Sequence, residues 1–394
     1  MSLSRRGFIR SVGMRGASPG SGAWIAARGR EAMVGEAAAG RQRPAWTSKG
    51  IRINGNENPL GPGPAALDAI TAQFSQAGRY TFNSKPGIGD LIGTISKKWG
   101  VQSENVTVGA GSGELLRNAV RAFTSSTRPL VTAQPSFESP FVTANQIGTP
   151  VKYVPLTPDL KLDLDAMAAA APGAGLIFVC NPNNPTATAH GLQTITDFVA
   201  KVRKSAPDTA ILLDEAYYDY VTDPSYKTGV LLAMETPNLF VTRTFSKAYG
   251  MAGLRMGYAI GRPELIKELA RWGMTPFNMN TLGLAGAVAS LNDQAHIDQE
   301  RARNTEVRNY TVKVFEDLGC KSTDTQTNFL FVNIRRSAKE FRDACEQQGV
   351  QVGRDFPPYE KTHARVSIGT MEEMRQAAEV FKKVLGVATT TAAR

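Results

Sequence analysis

Residues 239–261 read LFVTRTFSKAYGMAGLRMGYAIG, and two apolar runs in this segment flank a loop of small residues. The runs, 239–245 and 256–261, have the composition of buried strands. Hydroxyl side chains stand one and three residues before Lys247, and Arg255 follows it eight residues later. Because ligands of open α/β sheets bind just beyond the strand ends, the loop around Lys247 is predicted to belong to a site.

Outward from this segment, short apolar strands alternate with amphipathic helices. Further strands are predicted at 105–109, 130–134, 176–180 and 210–214, and helices at 114–123 and 191–204. Continuous apolar strands separated by helices indicate an α/β fold class, with a mainly parallel sheet covered on both faces. After about residue 290 the pattern predicts a smaller α+β domain, with helices at 293–318 and 338–348, strands at 328–334 and 365–369, and a final helix.

Composition and charge exclude several classes of protein. Apolar residues make up 42% of the 394 residues, as in an ordinary globular protein, and no run of about 18 apolar residues predicts a membrane span. The net charge of +10 is concentrated in residues 1–49, which carry nine basic and two acidic residues, so the body has no nucleic-acid footprint. Three cysteines without a C-x-x-C pair, and three histidines, predict neither a disulfide framework nor a metal site.

Three features carry candidate chemistry. The segment 108–114, VGAGSGE, is either a plain turn or a loop whose N–H groups cradle a phosphate. Asp214 ends an apolar strand, so it needs a cationic partner if it is buried, unless it caps a helix or lies at a surface turn. Lys247, held near Arg255, could lose its proton and attack a carbonyl to form a Schiff base, while Arg255 binds a phosphate through its planar fork.

Taken together, these motifs resemble the fold-type I pyridoxal-phosphate aminotransferases, and most closely the histidinol-phosphate aminotransferase branch. Residues 53–61, INGNENPLG, are similar to that branch's N-x-N-E-N-P-x-G, and residues 180–186, CNPNNPT, match N-P-N-N-P-T-G up to its last position, where Ala187 stands. The string T-x-S-K-x-x-x-x-x-G-L-R and residues 365–370, RVSIGT, complete the set. Since Ala187 replaces a glycine, its turn must avoid a positive φ or be slightly strained.

The resemblance implies a role for each matching residue. Lys247 would bind pyridoxal 5′-phosphate as a Schiff base and move the substrate proton, and Asp214 would pair with the ring nitrogen. Asn184 and Tyr217 would bind the 3′-oxygen of the ring, and Phe137 would stack on its face. The cofactor phosphate would be held by Ser112, Gly113, Glu114, Thr244, Ser246 and Arg255, with Tyr80 reaching in from the other subunit of a homodimer. Arg365 would bind the substrate α-carboxylate, and Arg354 and Asn58 are further substrate-binding candidates.

The function implied is an aminotransferase that moves an amino group between an L-amino acid or a histidinol-phosphate-like amine and a 2-oxo acid such as 2-oxoglutarate. Two alternatives stay open. The same Lys247 and Asp214 would serve the decarboxylation of an amino-acid phosphate, and a non-catalytic cofactor-binding regulator is the third reading. Residues 1–49 are too short and too rich in glycine for the DNA-binding module of such a regulator.

The amino terminus resembles a twin-arginine export signal. Residues 4–10 read SRRGFIR against the pattern S-R-R-x-F-L-K, and Ala37 and Ala39 offer a small-x-small cleavage site. We therefore expect export to the periplasm, with a cytoplasmic location as the alternative. The predicted organisation is a signal at 1–39, an arm at 40–72 that contributes to the small domain, a large cofactor-binding domain at 73–288, and a small domain at 289–394.

Overall fold

The computed structural model describes residues 50–81, 84–273 and 278–386. Its strands are β1 (Ile51–Ile53), β2 (Val106–Gly109), β3 (Leu130–Gln134), β4 (Val151–Pro155), β5 (Leu176–Cys180), β6 (Ala210–Asp214), β7 (Leu239–Thr244), β8 (Gly257–Gly261), β9 (Lys321–Ser322), β10 (Phe329–Asn333), β11 (Val350–Val352) and β12 (His363–Ser367). The predicted export signal lies outside the described residues.

The helices cover both parts of the fold. They are α1 (Pro64–Gln73), α2 (Ile88–Trp99), α3 (Ser112–Phe123), α4 (Ser139–Gln146), α5 (Leu164–Ala169), α6 (Leu192–Ser205), α7 (Val230–Glu235), α8 (Pro263–Ala270), α9 (Thr281–Asn292), α10 (Gln294–Asp317), α11 (Ala338–Gln347) and α12 (Met371–Gly386). None of the helices in the described part of the chain is long and apolar enough to cross a membrane.

A seven-stranded sheet forms the centre of the larger part, in the order β2-β8-β7-β6-β5-β3-β4. Six strands run parallel and β8 runs antiparallel to both of its neighbours. The predicted α/β fold class with a mainly parallel sheet is therefore confirmed. The strands β3, β5 and β6 match their predicted ranges residue for residue, whereas β4 was not predicted.

Helices pack on both faces of this sheet, which explains the uninterrupted apolar strands. In β6, Ile211 and Leu213 belong to one buried cluster and Leu212 belongs to the other. This alternation follows from the two-residue period of a strand. With both faces buried, polar groups can enter only beyond the strand ends, and the carboxyl ends of β6 and β7 place Asp214 and Thr244 there.

The carboxyl-terminal part is built around an antiparallel sheet with the order β12-β10-β9 and has its own apolar cluster. Its helix α10 lies within one residue of the predicted charged helix, and the Asp293 carboxylate caps it by accepting the N–H of His296. Strand β1 joins this part by pairing in parallel with β11, Ile51 opposite Val350 and Ile53 opposite Val352. The amino-terminal arm thus runs from this region directly towards the end of the central sheet.

Candidate functional site

Lys247 lies in the loop after β7, where its half-buried ammonium group meets the amino-terminal arm. Its Nζ donates to the carbonyl oxygen of Asn56 over 3.0 Å and lies 5.6 Å from the ring centre of Tyr217. Burial, together with the positive charges of Arg365 and Arg255, lowers the pKa of Lys247 to about 8. A minority of the molecules therefore carry the neutral amine, which is the nucleophilic form, at neutral pH, far more than for an ordinary lysine.

Asp214 is buried at the carboxyl end of β6, with 2% of its surface exposed. The Thr242 hydroxyl on the neighbouring strand donates to its Oδ1 over 2.9 Å, and no Lys or Arg of the described residues forms an ion pair with it. Burial raises the pKa of this carboxyl group to about 7. A buried acid with one hydroxyl donor and no cation is suited to a positively charged N–H group brought in by a ligand.

Asn56 connects the arm to Tyr217 and to Ser367, and the sequence motif around it predicts no such role. Its Nδ2 donates to the Tyr217 hydroxyl over 3.1 Å, and its Oδ1 accepts from the Ser367 hydroxyl over 2.8 Å. The residue has a positive φ of 53°, a conformation that asparagine tolerates better than most residues. In the sequence, the only hint of this conformation is an asparagine next to a glycine in the arm.

Arg365 projects from β12 and is 8% exposed. Its two Nη atoms donate to Asn184 Oδ1 and to the carbonyl oxygen of Asn54, each over 2.8 Å, while its buried Nε has no partner. Burial lowers the pKa of the guanidinium to about 10, so it remains charged at neutral pH. No carboxylate in the described part of the chain forms an ion pair with it, which leaves a buried cation without a counter-anion.

The loop that carries Asn184 departs from ordinary backbone geometry. Ala187 has a φ of 64° and is fully buried. The sequence allowed either an avoided positive φ or a slightly strained turn, and the structure has the strained one, at a cost of about 1–2 kcal/mol for a residue with a Cβ. Hydrogen bonds from Ala187 N–H to the Asn183 oxygen and from Gln326 N–H to the Ala187 oxygen, both 2.8 Å, hold the turn in place.

Groups that can bind an anion converge at the start of α3. Arg255 donates to the Ser246 hydroxyl over 3.3 Å, and the Ser246 N–H donates to Thr244 Oγ1 over 3.1 Å. Gly111, just before the helix, has a φ of 78°, and a Cβ there would lie 2.3 Å from an Arg255 nitrogen. Backbone N–H groups of a first helical turn lack partners within the helix, so this cradle suits a phosphate.

One predicted member of this cradle, Glu114, has contacts of its own. The N–H of Glu114 donates to the Gly111 oxygen over 3.2 Å, and its Oε2 accepts the Ala110 N–H over 2.6 Å. Ser112 and Gly113 are therefore the first-turn N–H groups that remain for a ligand. Gly257 has to lack a side chain, because a Cβ there would lie 2.3 Å from Ser112 N.

The other predicted residues lie in different surroundings. Phe137 is half-buried against the cluster that includes α3 and β5. Asn58 has both ends of its amide engaged: its Nδ2 donates to the Ala248 oxygen in the Lys247 loop and its Oδ1 accepts the Leu60 N–H within the arm, each over 3.0 Å. Its contact with the substrate stays a prediction. Tyr80 is 68% exposed, and Arg354 forms an ion pair with Glu138.

Among the described residues, no group of three or more His, Cys, Asp or Glu side chains is arranged to hold a metal ion. The chemistry available at the end of the sheet comes instead from three elements. The first is Lys247, whose pKa is lowered. The second is the pair of buried groups without ionic partners, the acid Asp214 and the guanidinium of Arg365. The third is the anion cradle at the start of α3.

The chain is similar to known proteins in sequence and in fold. The model of the family "Aminotransferase class I and II" matches residues 48–381. The chain is 37% identical to a histidinol-phosphate aminotransferase of Moorella thermoacetica over 87% of its length and 88% of the relative's. It is 38% identical to an aromatic amino acid aminotransferase of Nocardia farcinica over 82% and 88%. The crystal structure of histidinol-phosphate aminotransferase from Sinorhizobium meliloti with pyridoxal-5′-phosphate matches at a TM-score of 0.78 and 25% identity, over 86% of this chain and 91% of that one.

The observed side chains fit pyridoxal 5′-phosphate group by group. The cofactor has a protonated ring nitrogen for the orphaned Asp214, an aldehyde for the amine of Lys247, and a phosphate for the cradle of Arg255 and the start of α3. With 334 consecutive residues matched by one family model, the family is established. The chain belongs to the class I and II aminotransferases, and it is a pyridoxal-phosphate-dependent aminotransferase with the type I fold.

Proposed function

We propose that this aminotransferase moves the amino group of an aromatic amino acid or a histidinol-phosphate-like amine to a 2-oxo acid, with 2-oxoglutarate as the acceptor. The proposal rests on one observation above all. Asp214 is a buried acid and Arg365 a buried cation, neither has an ionic partner among the described residues, and both influence the pKa of Lys247. Relatives named for both kinds of donor support the choice of substrates.

Arg365 is the group for the substrate α-carboxylate. Its planar fork forms two parallel hydrogen bonds with a carboxylate, which a lysine ammonium cannot do. Asn184 Oδ1 and the Asn54 oxygen fix the plane of the guanidinium by accepting from its two Nη atoms. The substrate therefore meets a cation that is already oriented, and little side-chain entropy is lost on binding.

Lys247 would take the proton from the Cα atom of the bound amine and pass it to the cofactor. In the second half of the cycle it would move a proton the other way, onto the Cα atom of the oxo acid. Its lowered pKa of about 8 keeps the neutral, basic form available. The cofactor, when bound, supplies the electron sink that stabilises the resulting carbanion. Asp214, buried and supported by the Thr242 hydroxyl, would keep a proton on the ring nitrogen.

The remaining predicted residues would hold the cofactor. Tyr217, aligned by the Asn56 amide, and Asn184 would bind the ring oxygen, and Phe137 would cover the ring face. The phosphate would be held by Ser112, Gly113, Thr244, Ser246 and Arg255. Charge-assisted hydrogen bonds contribute about 1.5–3 kcal/mol each, so three of them suffice for firm retention.

A panel of amino donors tests the function. The purified holoenzyme is incubated with 2-oxoglutarate and histidinol phosphate, phenylalanine, tyrosine or other amino acids, and glutamate is measured. We expect glutamate with at least one aromatic or histidinol-phosphate-like donor. Release of CO2 from an amino-acid phosphate without any glutamate would overturn the proposal in favour of a decarboxylase.

We also propose a homodimer in which Tyr80 reaches the cofactor of the other subunit. Its support is a run of exposed large apolar side chains in one segment of the chain, Leu60, Leu67, Phe74 and Tyr80, each 47–68% exposed. Light scattering should give twice the chain mass, and Tyr80→Phe should weaken cofactor retention. A monomer that retains its cofactor fully would contradict this arrangement.

Export is a separate proposal, supported by the twin-arginine pattern of residues 4–10 and by the small-x-small cleavage site at Ala37 and Ala39. Protein recovered from the periplasm should begin near Gly40 when its amino terminus is sequenced. Recovery of the chain only from the cytoplasm, with Met1 or Ser2 at its start, would contradict export.

A further inference from the structure

An ion pair lies next to the Arg365 site and joins the two parts of the fold. Arg354, in the loop after β11, places Nη2 2.5 Å from Oε2 of Glu138, which directly follows Phe137 and precedes α4. The Arg354 and Glu138 side chains are 45% and 26% exposed. Nothing in the roles proposed above gives Glu138 a function.

One aromatic ring connects this ion pair to Arg365. The guanidinium carbon of Arg354 lies 4.4 Å from the ring centre of Phe356, and that of Arg365 lies 4.7 Å from the same centre. The two guanidinium carbons are therefore no more than about 9 Å apart. Two cations within that distance form a receptor for a molecule with an anionic group at each end.

The two arginines differ in what neutralises them. Arg365 is buried and has no carboxylate partner among the described residues, whereas Arg354 has Glu138. A partly exposed ion pair contributes only about 0–1 kcal/mol, because solvent screens it and two side chains are immobilised. An incoming carboxylate can therefore replace Glu138 at Arg354 at little cost.

We propose that Glu138 is a specificity-determining residue, which serves as the resident counter-ion of Arg354 and yields it to the distal carboxylate of a dicarboxylic substrate bound at Arg365. With a substrate whose side chain is uncharged, the ion pair between Arg354 and Glu138 stays formed. The same site therefore accepts both an aromatic donor and a dicarboxylic acceptor. This inference rests on the proposed function, since it assumes that the α-carboxylate lies at Arg365.

Equilibrium binding of unreactive probes to the holoenzyme tests the inference. Calorimetry compares glutarate, a five-carbon dicarboxylate, with pentanoate, its monocarboxylate of equal length. Neither probe has an oxo or amino group, so the measurement does not depend on turnover. The variants are Glu138→Gln, Arg354→Gln and the double variant. Glu264→Gln is the matched control, because it removes a carboxylate from an exposed 2.9 Å ion pair with Arg262 at the start of α8.

Glu138→Gln should bind glutarate about two- to fivefold more tightly relative to pentanoate, since the competing carboxylate is gone. Arg354→Gln should weaken the binding of glutarate, relative to that of pentanoate, about tenfold. In the Arg354→Gln background the change at position 138 should have no effect, and Glu264→Gln should leave the ratio as in the wild type.

An unchanged ratio in Glu138→Gln, or an equal gain in the Arg354→Gln background, would overturn the inference. So would a shift of the same size in Glu264→Gln. The proposed function is scored separately by glutamate formation with the unmodified enzyme. The enzyme can therefore prove to be an aminotransferase while Glu138 proves to have no part in its specificity.

Discussion

Asp214 and Glu215 are consecutive residues, equally buried at 2% exposure, yet their surroundings are opposite. Glu215 accepts two hydrogen bonds from Arg243, at 3.1 and 2.6 Å, and its other oxygen accepts the Gly229 N–H over 2.6 Å. Asp214 has one hydroxyl donor and no cation among the described residues.

The partner of Glu215 is itself fully accommodated by the protein. The guanidinium carbon of Arg243 lies 3.6 Å from the ring centre of Tyr218 and 4.2 Å from that of Trp99. Burial opposes its charge, but Glu215 outweighs that effect, and the pKa of Arg243 is raised. A buried charge that stabilises the fold, such as Glu215, is paired within the chain. A buried ionisable group that binds a ligand, such as Asp214, lacks an ionic partner until the ligand is bound.

The largest expected effect is a loss of activity at the site formed by Lys247, Asp214 and Arg365. Lys247→Ala should lower glutamate formation by at least about 10²–10⁴-fold, because the proton-transferring base is lost. Its free energy of unfolding should stay within about 1 kcal/mol of the wild type, since the side chain donates a single hydrogen bond. Activity within tenfold of the wild type would remove Lys247 from the chemistry.

Glu215→Ala should lower the stability of the fold, whereas Lys247→Ala lowers the activity. Removal of this carboxylate leaves Arg243 buried and unpaired, which costs about 3–5 kcal/mol of unfolding free energy. Urea unfolding of the cofactor-free protein measures the change directly. If the loss were below about 1 kcal/mol, the contrast between the two neighbouring carboxylates would not hold.

Asp214→Asn should change the pH dependence of stability. The pKa of Asp214 is raised from 3.8 to about 7 on folding, so its stabilising contribution is full below pH 4 and is lost as the pH rises to 7. The loss amounts to at most about 4 kcal/mol. The cofactor-free variant should therefore lack this decline and be more stable than the wild type above pH 7. Parallel stability–pH curves for the two proteins would contradict the expectation.

Arg365→Lys should give the smallest of these effects. The charge is kept but the fork is lost, so kcat/KM for the oxo acid should fall about 10- to 100-fold, equivalent to about 1.5–3 kcal/mol. Arg262→Lys, at an exposed ion pair, is the matched control and should change kcat/KM less than twofold. An equal response of the two variants would deny Arg365 a role in binding the carboxylate.

The sequence predicts the fold best where burial is most complete. Strands β5 and β6 are apolar and buried throughout, so their bounds follow from the sequence residue for residue. Strand β4 escapes prediction because Lys152 and Tyr153 are exposed on this edge strand, which interrupts the apolar run. Strand β1 has three residues, and its partner β11 lies almost 300 residues further along the chain.

In the site, the sequence identifies the chemical groups but not the residues that orient them. Lys247, Asp214 and Arg365 stand in recognisable motifs. Thr242, Asn56 and Ser367 act through contacts between distant segments, and no local pattern encodes those contacts. The same holds for Asn58, whose Nδ2 contacts the Lys247 loop across 190 residues.

The arm that starts the described chain has a consequence for biosynthesis. Asn56 forms a hydrogen bond with Ser367 and Asn54 with Arg365, each across 311 residues. The arm is therefore synthesised long before β12, and these contacts form only once β12 has left the ribosome. The central sheet needs only residues up to 261. Domains generally begin to fold during synthesis, but closing so long a loop comes late. Nascent chains halted before β12 should therefore contain the central sheet and Lys247 but lack Arg365 and Ser367, so the pocket is complete only after β12 has been synthesised.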